Sequence, residues 1–405
     1  DHRDLHSFPT RRSSDLDSWW RFATIWMTEN WNNKISSKNS MIKIKEIARF
    51  LETLAPLALQ ESYDNAGLIV GNPESDVDSA LVTIDVTEAV VDEAIGRNIK
   101  LIIAHHPIVF SGVKKFTGKN YVERTLLKAI KNDIAIYAAH TNLDSAPQGV
   151  NQKIAEKLGL KNCQVLQPMT GQLKKLVTFI PTEHVQKVSE AVFEAGAGHI
   201  GNYDNCGFTA TGTGSFRGNE QTNPFVGEKG QLHFENEERF ETIFPAWKQK
   251  NIIDALLKVH PYEEVAFDIY PLENIFPAAG IGLIGNLTQP VDESVFLELL
   301  KKTFNTGVIK HTALLGKPVD KVSVCGGAGS FLLNAAISAG AEFFVSSDFK
   351  YHQYFDAENK TVIADIGHFE SEQFTKELFY ELLTKKFPKF AVRFSGVNTN
   401  PVFYF

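Results

Sequence analysis

Short apolar runs alternate with amphipathic helical patterns between residues 80 and 139 of this 405-residue chain, and that order limits the fold most. Strands are predicted at Ala80–Asp85, Lys100–Ala104 and Ile134–Ala139. Helices are predicted between them, at Glu88–Arg97 and Val122–Asn132. Strands that are apolar on both faces are typical of a parallel sheet covered by helices. The pattern therefore predicts an α/β fold.

A different pattern lies between about residue 166 and residue 275. It consists, in chain order, of a strand at Leu176–Ile180, a helix at His184–Ala195, a glycine-rich loop at Gly212–Gly218, a strand at Phe240–Phe244, a helix at Lys248–Val259 and a strand at Val265–Tyr270. Strands and helices in this order are typical of a ferredoxin-like α+β module.

The first pattern returns from about Gly280 onward. Strands are predicted at Val322–Cys325, Glu342–Val345 and Thr361–Ala364, and helices at Phe331–Ala339 and Ser371–Lys385. We therefore expect a split α/β domain with a mostly parallel sheet, interrupted by an inserted ferredoxin-like α+β module. Its two parts are residues 41–165 and 276–405, and the insert is residues 166–275.

Residues 1–40 match neither pattern, although four of the five tryptophans lie there. The run Leu5–Leu16 resembles translated sequencing-adapter DNA, which would make the segment non-native; the alternative is a natural disordered tail. We place the native start at Met41, where an amphipathic helix over Ile42–Leu54 follows at once.

Composition excludes several classes of protein. No run approaches the roughly 18 consecutive apolar residues of a membrane-spanning helix, and a net charge of −7 argues against a general nucleic-acid binder. The cysteines, Cys163, Cys206 and Cys325, are too few and too widely spaced for a disulfide framework or a thiolate metal site. A cytoplasmic location fits this usage best.

Side chains that ligate metals follow three predicted strands at the point where each strand ends. Ligands of open parallel sheets bind beyond the carboxyl ends of the strands, so we expect these residues to meet at one edge of one sheet. They are His105 and His106 after the second strand, His140 and Asp144 after the third, and His368 and Glu372 after the strand Thr361–Ala364.

Each of these residues also has a structural interpretation. Paired histidines at a strand end are commonly structural, His368 and Glu372 are spaced as a helix-capping or solvated pair, and Asp144 alone is typical of a turn. Taken together they favour a metal site. Histidine and carboxylate without thiolate suit zinc, iron, manganese or cobalt. The paired histidines, Asp144, His368 and Glu372 make five ligands, which are too many for one open catalytic ion.

Further motifs leave alternatives open. The glycine-rich turn Cys325–Ser330 predicts tight strand-to-helix packing, with phosphate binding as the alternative. Asp348 and His352 are candidate catalytic proton shuttles, or members of a polar loop that orients the metal ligands. The loop Ser62–Leu68 has no assigned role. The segment His260–Glu264 predicts a turn, with a second surface site as the alternative.

Six ordered motifs together resemble the GTP cyclohydrolase 1 type 2 homolog family, also called Nif3-like dinuclear metal centre proteins. The resemblance extends from Met41 to Phe405 and rests on Tyr63–Gly67, Ala104–Pro107, His140–Asp144, Cys325–Ser330, Ser347–His352 and Gly367–Glu372. It implies two divalent ions per chain, bound by His105, His106, Asp144, His368 and Glu372, with Glu372 bridging. It also implies a toroidal homohexamer, with an insert like the modules of small trimeric proteins.

The resemblance leaves the activity open between two classes. The first is a metal-dependent hydrolase that acts on a nucleotide-like or pterin-like substrate, as the family name suggests. The second is a non-catalytic metal-handling or regulatory ring protein. Titratable side chains beside a full ligand set (His140, Asp348, His352) favour the first, and the lack of a clear base-recognition or phosphate motif favours the second.

Overall fold

A computed structural model describes residues 41–405 of the chain. The N-terminal segment 1–40, which we predicted to be non-native or disordered, lies outside the described residues. The described chain forms two compact units: one is Thr170–Ile275, and the other comprises the residues up to Met169 and from Phe276 onward.

The strands carry the numbers used below. In chain order they are β1 (Ile42–Lys43), β2 (Gly67–Val70), β3 (Asp76–Val77), β4 (Ser79–Thr83), β5 (Leu101–Ala104), β6 (Ala135–Ala138), β7 (Lys161–Met169), β8 (Leu173–Pro181), β9 (Gly207–Phe216), β10 (His233–Pro245), β11 (Phe267–Leu272), β12 (Phe276–Val291), β13 (Lys310–His311), β14 (Val319–Ala328), β15 (Phe343–Ser347), β16 (Val362–Asp365) and β17 (Ala391–Phe394).

The α-helices are numbered in the same way. They are α1 (Ile44–Leu54), α2 (Glu88–Gly96), α3 (Tyr121–Lys131), α4 (Thr141–Asp144), α5 (Val150–Lys157), α6 (Val185–Glu194), α7 (Gln249–Val259), α8 (Glu293–Phe304), α9 (Leu333–Ser338), α10 (His368–Glu372) and α11 (Thr375–Lys386). Short 3₁₀ turns lie at Leu57–Leu59, Thr182–His184, Ala246–Lys248, Ser330–Leu332 and Tyr351–Ala357. No helix within residues 41–405 is both long and apolar enough to cross a bilayer.

A five-stranded sheet has the order β17-β4-β5-β6-β2. All neighbours in it are parallel except β2, which runs antiparallel to β6. Alternate residues of its strands face opposite sides. Ile102 packs with the helices α2 and α3, whereas Ile103 packs in the apolar cluster that contains α1. Burial on both faces explains the continuous apolar runs from which these strands were predicted.

A six-stranded sheet has the order β13-β16-β15-β14-β12-β7, and only β14, β15 and β16 are parallel neighbours. The expectation of one mostly parallel sheet is therefore wrong, because this unit has two larger sheets and the second is mixed. The antiparallel pairs β7–β12 and β12–β14 account for the difference. An apolar run shows that a strand is buried, but not which strand it pairs with.

The unit Thr170–Ile275 is a four-stranded antiparallel sheet of order β11-β8-β10-β9. The helices α6 and α7 bury Val188 and Ile252 in the cluster that also contains Phe240 of β10. The loop predicted at Gly212–Gly218 is wrong, since Gly212–Phe216 belongs to β9 and pairs with β10. The residues of β9 are mostly exposed, so no apolar alternation marked the strand.

The segment His260–Glu264 in the same unit forms a turn, as predicted. His260 is buried, and its Nε2 donates to the carbonyl of Phe179 at 3.1 Å. Its Nδ1 accepts a hydrogen bond from the backbone N–H of Tyr262, also at 3.1 Å. Because both ring nitrogens have partners inside the unit, His260 serves the packing of this turn.

Candidate metal centre

The positions of His105 and His106 are set by three neighbouring strands that end at the same level. The register pairs Thr83 with Ala104 and Ala104 with Ala138, so β4, β5 and β6 end side by side. The backbone N–H of His105 donates to Thr83 and that of His106 to Ile84, so both residues stay beside the end of β4 just after β5 has ended. Both imidazoles consequently lie at the carboxyl edge of the five-stranded sheet.

The remaining predicted ligands come from two sources. Asp144 is the last residue of the short helix α4, which follows β6. His368 and Glu372 are the first and last residues of α10, which follows β16 of the six-stranded sheet. The prediction that all these residues meet at one edge of one sheet is therefore wrong. The carboxyl ends of strands from two sheets contribute to one site.

Glu372 lies at the centre of this site, with a side chain only 3% exposed. Its Oε1 is 3.5 Å from His105 Nε2. Its Oε2 is 2.9 Å from His106 Nε2 and 3.2 Å from His368 Nε2. Asp144 Oδ1 is 3.7 Å from His105 Nε2. The structure thus brings all five predicted ligands together, and side-chain atoms of His105, His106 and Glu372 lie within 4.8 Å of one another.

Hydrogen bonds on the far side of each ring set the orientation of His105 and His106. His105 Nδ1 lies 2.9 Å from the carbonyl oxygen of Ala139, and since a carbonyl can only accept, this nitrogen carries the proton. His106 Nδ1 donates to Asp85 Oδ1 at 2.7 Å. In both residues Nδ1 therefore donates outward and Nε2 is directed to Glu372, which is the orientation that metal-ligating histidines commonly have.

His368 is held in the same way by Asp348, whose Oδ2 lies 2.6 Å from His368 Nδ1. Asp348 has a left-handed backbone conformation, with φ of 59°, directly after β15. This position agrees with the alternative in which Asp348 orients a metal ligand. His352, the other candidate proton shuttle, is exposed, packs against Tyr351 and Phe355, and does not line the cavity beside Glu372.

A fourth imidazole, His140, stands beside the predicted ligands. Its ring centroid is 5.3 Å from those of both His105 and His106. Its Nδ1 donates to Asp64 Oδ1 at 2.8 Å, and Asp64 also accepts hydrogen bonds from the backbone and hydroxyl of Thr141. The loop Ser62–Leu68, which had no assigned role, thus supplies the carboxylate that orients His140.

The glycine-rich segment Cys325–Ser330 is only partly a turn, since Cys325–Ala328 is the end of β14, and it packs against the centre in agreement with the packing interpretation. The N–H of Gly326 donates to Asn151 and that of Gly327 to Ser371, so neither amide is left for a phosphate. Gly327 has φ of 63°, and a Cβ there would lie 2.3 Å from Glu372 Oε1. A glycine at this position leaves the room that the Glu372 carboxylate needs.

Burial and neighbouring charges shift the titration of the site. Burial alone would raise the pKa of Glu372, but the surrounding imidazoles hold that pKa well below its usual range. Burial and the charge of Glu372 raise the pKa of Asp144 to about 7. Burial would lower the pKa of His106 and of His368, yet their carboxylate partners raise these values to about 9 and about 11.

These pKa shifts indicate in which direction metal affinity changes with pH. At neutral pH the metal-free protein keeps protons on His106 and His368, because their pKa values lie above 7. A cation that binds their Nε2 atoms must displace those protons, so metal affinity falls as the pH is lowered.

Two buried polar atoms test whether the residues suit a metal. His105 Nε2 and Asp144 Oδ1 are shielded from solvent and have no hydrogen-bond partner among the described residues. A buried polar atom without a partner costs about 1–3 kcal/mol, which a bound cation would offset. Imidazole and carboxylate donors, oriented by hydrogen bonds to their outer sides, fit zinc, iron, manganese or cobalt.

A cavity of about 1120 Å³ opens onto Glu372 and is lined by residues of both sheets. Several aromatic side chains lie on its walls, and they include Tyr63, Phe110, Phe331 and Tyr404. Pockets of this size accept small molecules, with apolar walls for contact area and polar groups for orientation. A small molecule can therefore reach the predicted metal ligands.

Asp85 and Asp64 are the site residues that the sequence analysis missed. Asp85 was assigned to the strand Ala80–Asp85, whereas β4 ends at Thr83 and leaves Asp85 beyond the carboxyl edge. An acidic residue at the end of a buried strand, beside a strand followed by histidines, is a signal that could have found it. Asp64 belongs to the motif Tyr63–Gly67, but its position in a loop did not indicate that it orients His140.

Comparison with known proteins identifies the family to which the chain belongs. The model of the DUF34/NIF3 (NGG1p interacting factor 3) family matches residues 42–401. The chain belongs to this family, as the six motifs predicted.

Individual relatives agree with this assignment. Proteins named "GTP cyclohydrolase 1 type 2 homolog" from Halalkalibacterium halodurans and Bacillus subtilis are 39% and 38% identical, and each match covers 88% of this chain and 97% of the relative. The solved structure of a Bacillus cereus protein related to NIF3 is similar, with a TM-score of 0.78 and 38% identity. That match covers 90% of this chain and all of the other.

Proposed function

We propose that the protein binds two divalent metal ions per chain and is a metal-dependent hydrolase. The observation that carries the proposal is the position of Glu372 between two groups of ligand atoms. Its Oε1 faces His105, which also contacts Asp144, and its Oε2 faces His106 and His368. One carboxylate between two such groups suits a bridging ligand. The metals that fit are zinc, iron, manganese and cobalt.

Two neighbouring ions would supply an activated water and an electrophile for the attacked group. The protein's own side chains have separate tasks. Asp85 and Asp348 hold His106 and His368 in orientation. His140, oriented by Asp64, lines the cavity and can accept or return a proton there. The role of proton shuttle, first considered for Asp348 or His352, is therefore better suited to His140.

The proposed substrate class is supported by the names of the relatives and by the cavity. Its volume of about 1120 Å³ and its aromatic walls suit a nucleotide-like or pterin-like ring. A non-catalytic metal-handling role is the second candidate. The observation that favours it is that Gly326 and Gly327 use their amides within the fold, so these two amides are not available to a phosphate.

The experiment is an assay of metal-loaded protein on a panel of nucleotides, pterins and phosphoesters, with product formation followed by chromatography. We expect turnover by the wild type and its loss in His105→Ala. His311→Ala, which removes an exposed imidazole on β13, is the matched control and should retain turnover. Absence of turnover on every substrate, together with transfer of metal to an apoprotein, would decide for the metal-handling role.

The assembly and the inserted unit are proposed on the family resemblance. We propose a cytoplasmic, toroidal homohexamer in which Thr170–Ile275 is an inserted ferredoxin-like module. The strand order β11-β8-β10-β9 with two helices supports the module. Light scattering is expected to give several times the single-chain mass of 45.2 kDa. A single-chain mass at micromolar concentration would contradict the ring.

A further inference from the structure

The segment that follows β17 crosses the cavity beside the metal centre. Its first residues are attached to the five-stranded sheet and to α2, because Ser395 donates its backbone N–H to Val82 and its hydroxyl to Glu93. The chain then continues along the cavity, which is lined in part by Thr399, Asn400, Pro401, Val402 and Tyr404. We call residues 399–404 the strap.

One contact of the strap acts through Asp85 on His106, a predicted ligand at the edge of the five-stranded sheet. The hydroxyl of Thr399 donates to Asp85 Oδ2 at 2.7 Å. The other oxygen of Asp85 accepts the hydrogen bond from His106 Nδ1, also at 2.7 Å. Thr399 thereby fixes the rotation of the carboxylate that fixes the imidazole. A carboxylate held at both oxygens has less freedom to turn away from His106.

A second contact leads to the ligands from the six-stranded sheet. Asn400 Nδ2 donates to Glu370 Oε1 at 3.0 Å, and Glu370 is only 7% exposed. Glu370 lies in α10, between His368 and Glu372. The ring of Tyr404 lies beside Gly307, and its hydroxyl lies beside Gly367, the residue before α10. The strap thus contacts the helix that carries two of the five predicted ligands.

The helix α10 needs such support because it is only five residues long. Its N-cap residue is Gly367, with φ of 96°, which has no side chain to fix the first turn. A helix of so few residues has little stability of its own. The orientation of His368 and Glu372 must therefore depend on contacts from outside the helix, and Asn400 provides one of them.

We propose that the strap sets the distance between the two halves of the metal centre. One half contains His106 at the edge of the five-stranded sheet, and the other is the helix α10 with His368 and Glu372. Thr399 and Asn400 are adjacent, yet one is fastened to a residue beside His106 and the other to the helix of His368 and Glu372. They are positioning residues, since neither contacts a ligand directly. The proposal rests on the metal site proposed above and adds the element that holds its halves together.

Three point variants test the strap. Thr399→Val keeps the shape of the side chain but removes the bond to Asp85, and Thr399→Ser keeps the hydroxyl. Asn400→Asp removes the donor to Glu370, while its Oδ1 can still accept from Val402, as Asn400 does. The matched control is Thr384→Val, which loses a hydroxyl bonded only to backbone carbonyls of α11.

The measurements are metal affinity, by competition with a chelator, and the visible absorption spectrum of the Co²⁺-loaded protein. Loss of an outer partner of a metal ligand costs about 10- to 100-fold in affinity. Thr399 acts one step further out, so we expect a loss of about three- to tenfold in Thr399→Val. We expect a similar loss of affinity in Asn400→Asp, and wild-type affinity in Thr399→Ser and Thr384→Val. The Co²⁺ spectrum should change in Thr399→Val and Asn400→Asp only.

The outcomes separate this proposal from the proposed function. If the wild type binds no metal, the metal site and the strap are both refuted. If the wild type binds metal and Thr399→Val and Asn400→Asp bind it with unchanged affinity and spectrum, only the strap is refuted. A cycle with Asp85→Asn adds a direct test: a role through Asp85 requires that Thr399→Val has little further effect once Asp85 is changed.

Discussion

Protein that carries both Glu372→Ala and His368→Ala is expected to retain no divalent metal after purification. Glu372 contacts the imidazoles of His105, His106 and His368, so its removal takes a ligand from each proposed ion. Loss of His368 removes a further ligand beside His106. Elemental analysis of protein purified without added metal should find up to two ions in the wild-type chain and none in the variant.

The same variant should lose the stabilisation that metal gives. A ligand at one hundred times its Kd adds about 2.7 kcal/mol to the free energy of unfolding. Thermal unfolding of the wild type should therefore shift upward when metal is added, and the unfolding of the variant should not. The matched control is His311→Ala with Glu377→Ala, which removes an exposed imidazole and a carboxylate paired with Lys157. Full metal occupancy in the Glu372→Ala, His368→Ala double variant would refute the proposed metal site.

Much of this site could be predicted because its signals are local in the sequence. Apolar runs marked β5, β6 and β16 to within one or two residues. The predicted metal ligands come soon after the strands, so His105, His106 and His368 could be identified from the strand ends alone. What failed was the assignment of strands to sheets. The antiparallel partner β12 separates β7 from β14, and no local pattern encodes such pairing.

The partners that orient the histidines were harder to predict for a related reason. Asp85 precedes His106 by 21 residues, and Asp64 precedes His140 by 76. Asp348 precedes His368 by 20 residues. Each hydrogen bond depends on the register between neighbouring strands and on the path of a loop. Residue type suggests that a carboxylate can orient a histidine, but only the fold shows which one does.

Gly327→Ala is expected to lower metal content by at least half while the protein still folds. The left-handed backbone at Gly327, with φ of 63°, costs an alanine about 1–2 kcal/mol. The added Cβ would lie 2.3 Å from Glu372 Oε1, so that carboxylate must move. The end of a long side chain can shift with little loss of stability, but here the shift takes Oε1 away from His105. The effect on metal content should therefore exceed the effect on folding.

Gly159→Ala separates the two effects. Gly159 has φ of 70°, close to that of Gly327, and a Cβ there meets no atom of the described chain within 4 Å. Both variants carry the cost of the backbone conformation, whereas only Gly327→Ala displaces the carboxylate. We expect similar losses in the free energy of unfolding, measured by urea denaturation of metal-free protein, and a loss of metal in Gly327→Ala alone. Equal metal content in the two variants would mean that the room beside Glu372 does not matter for metal binding.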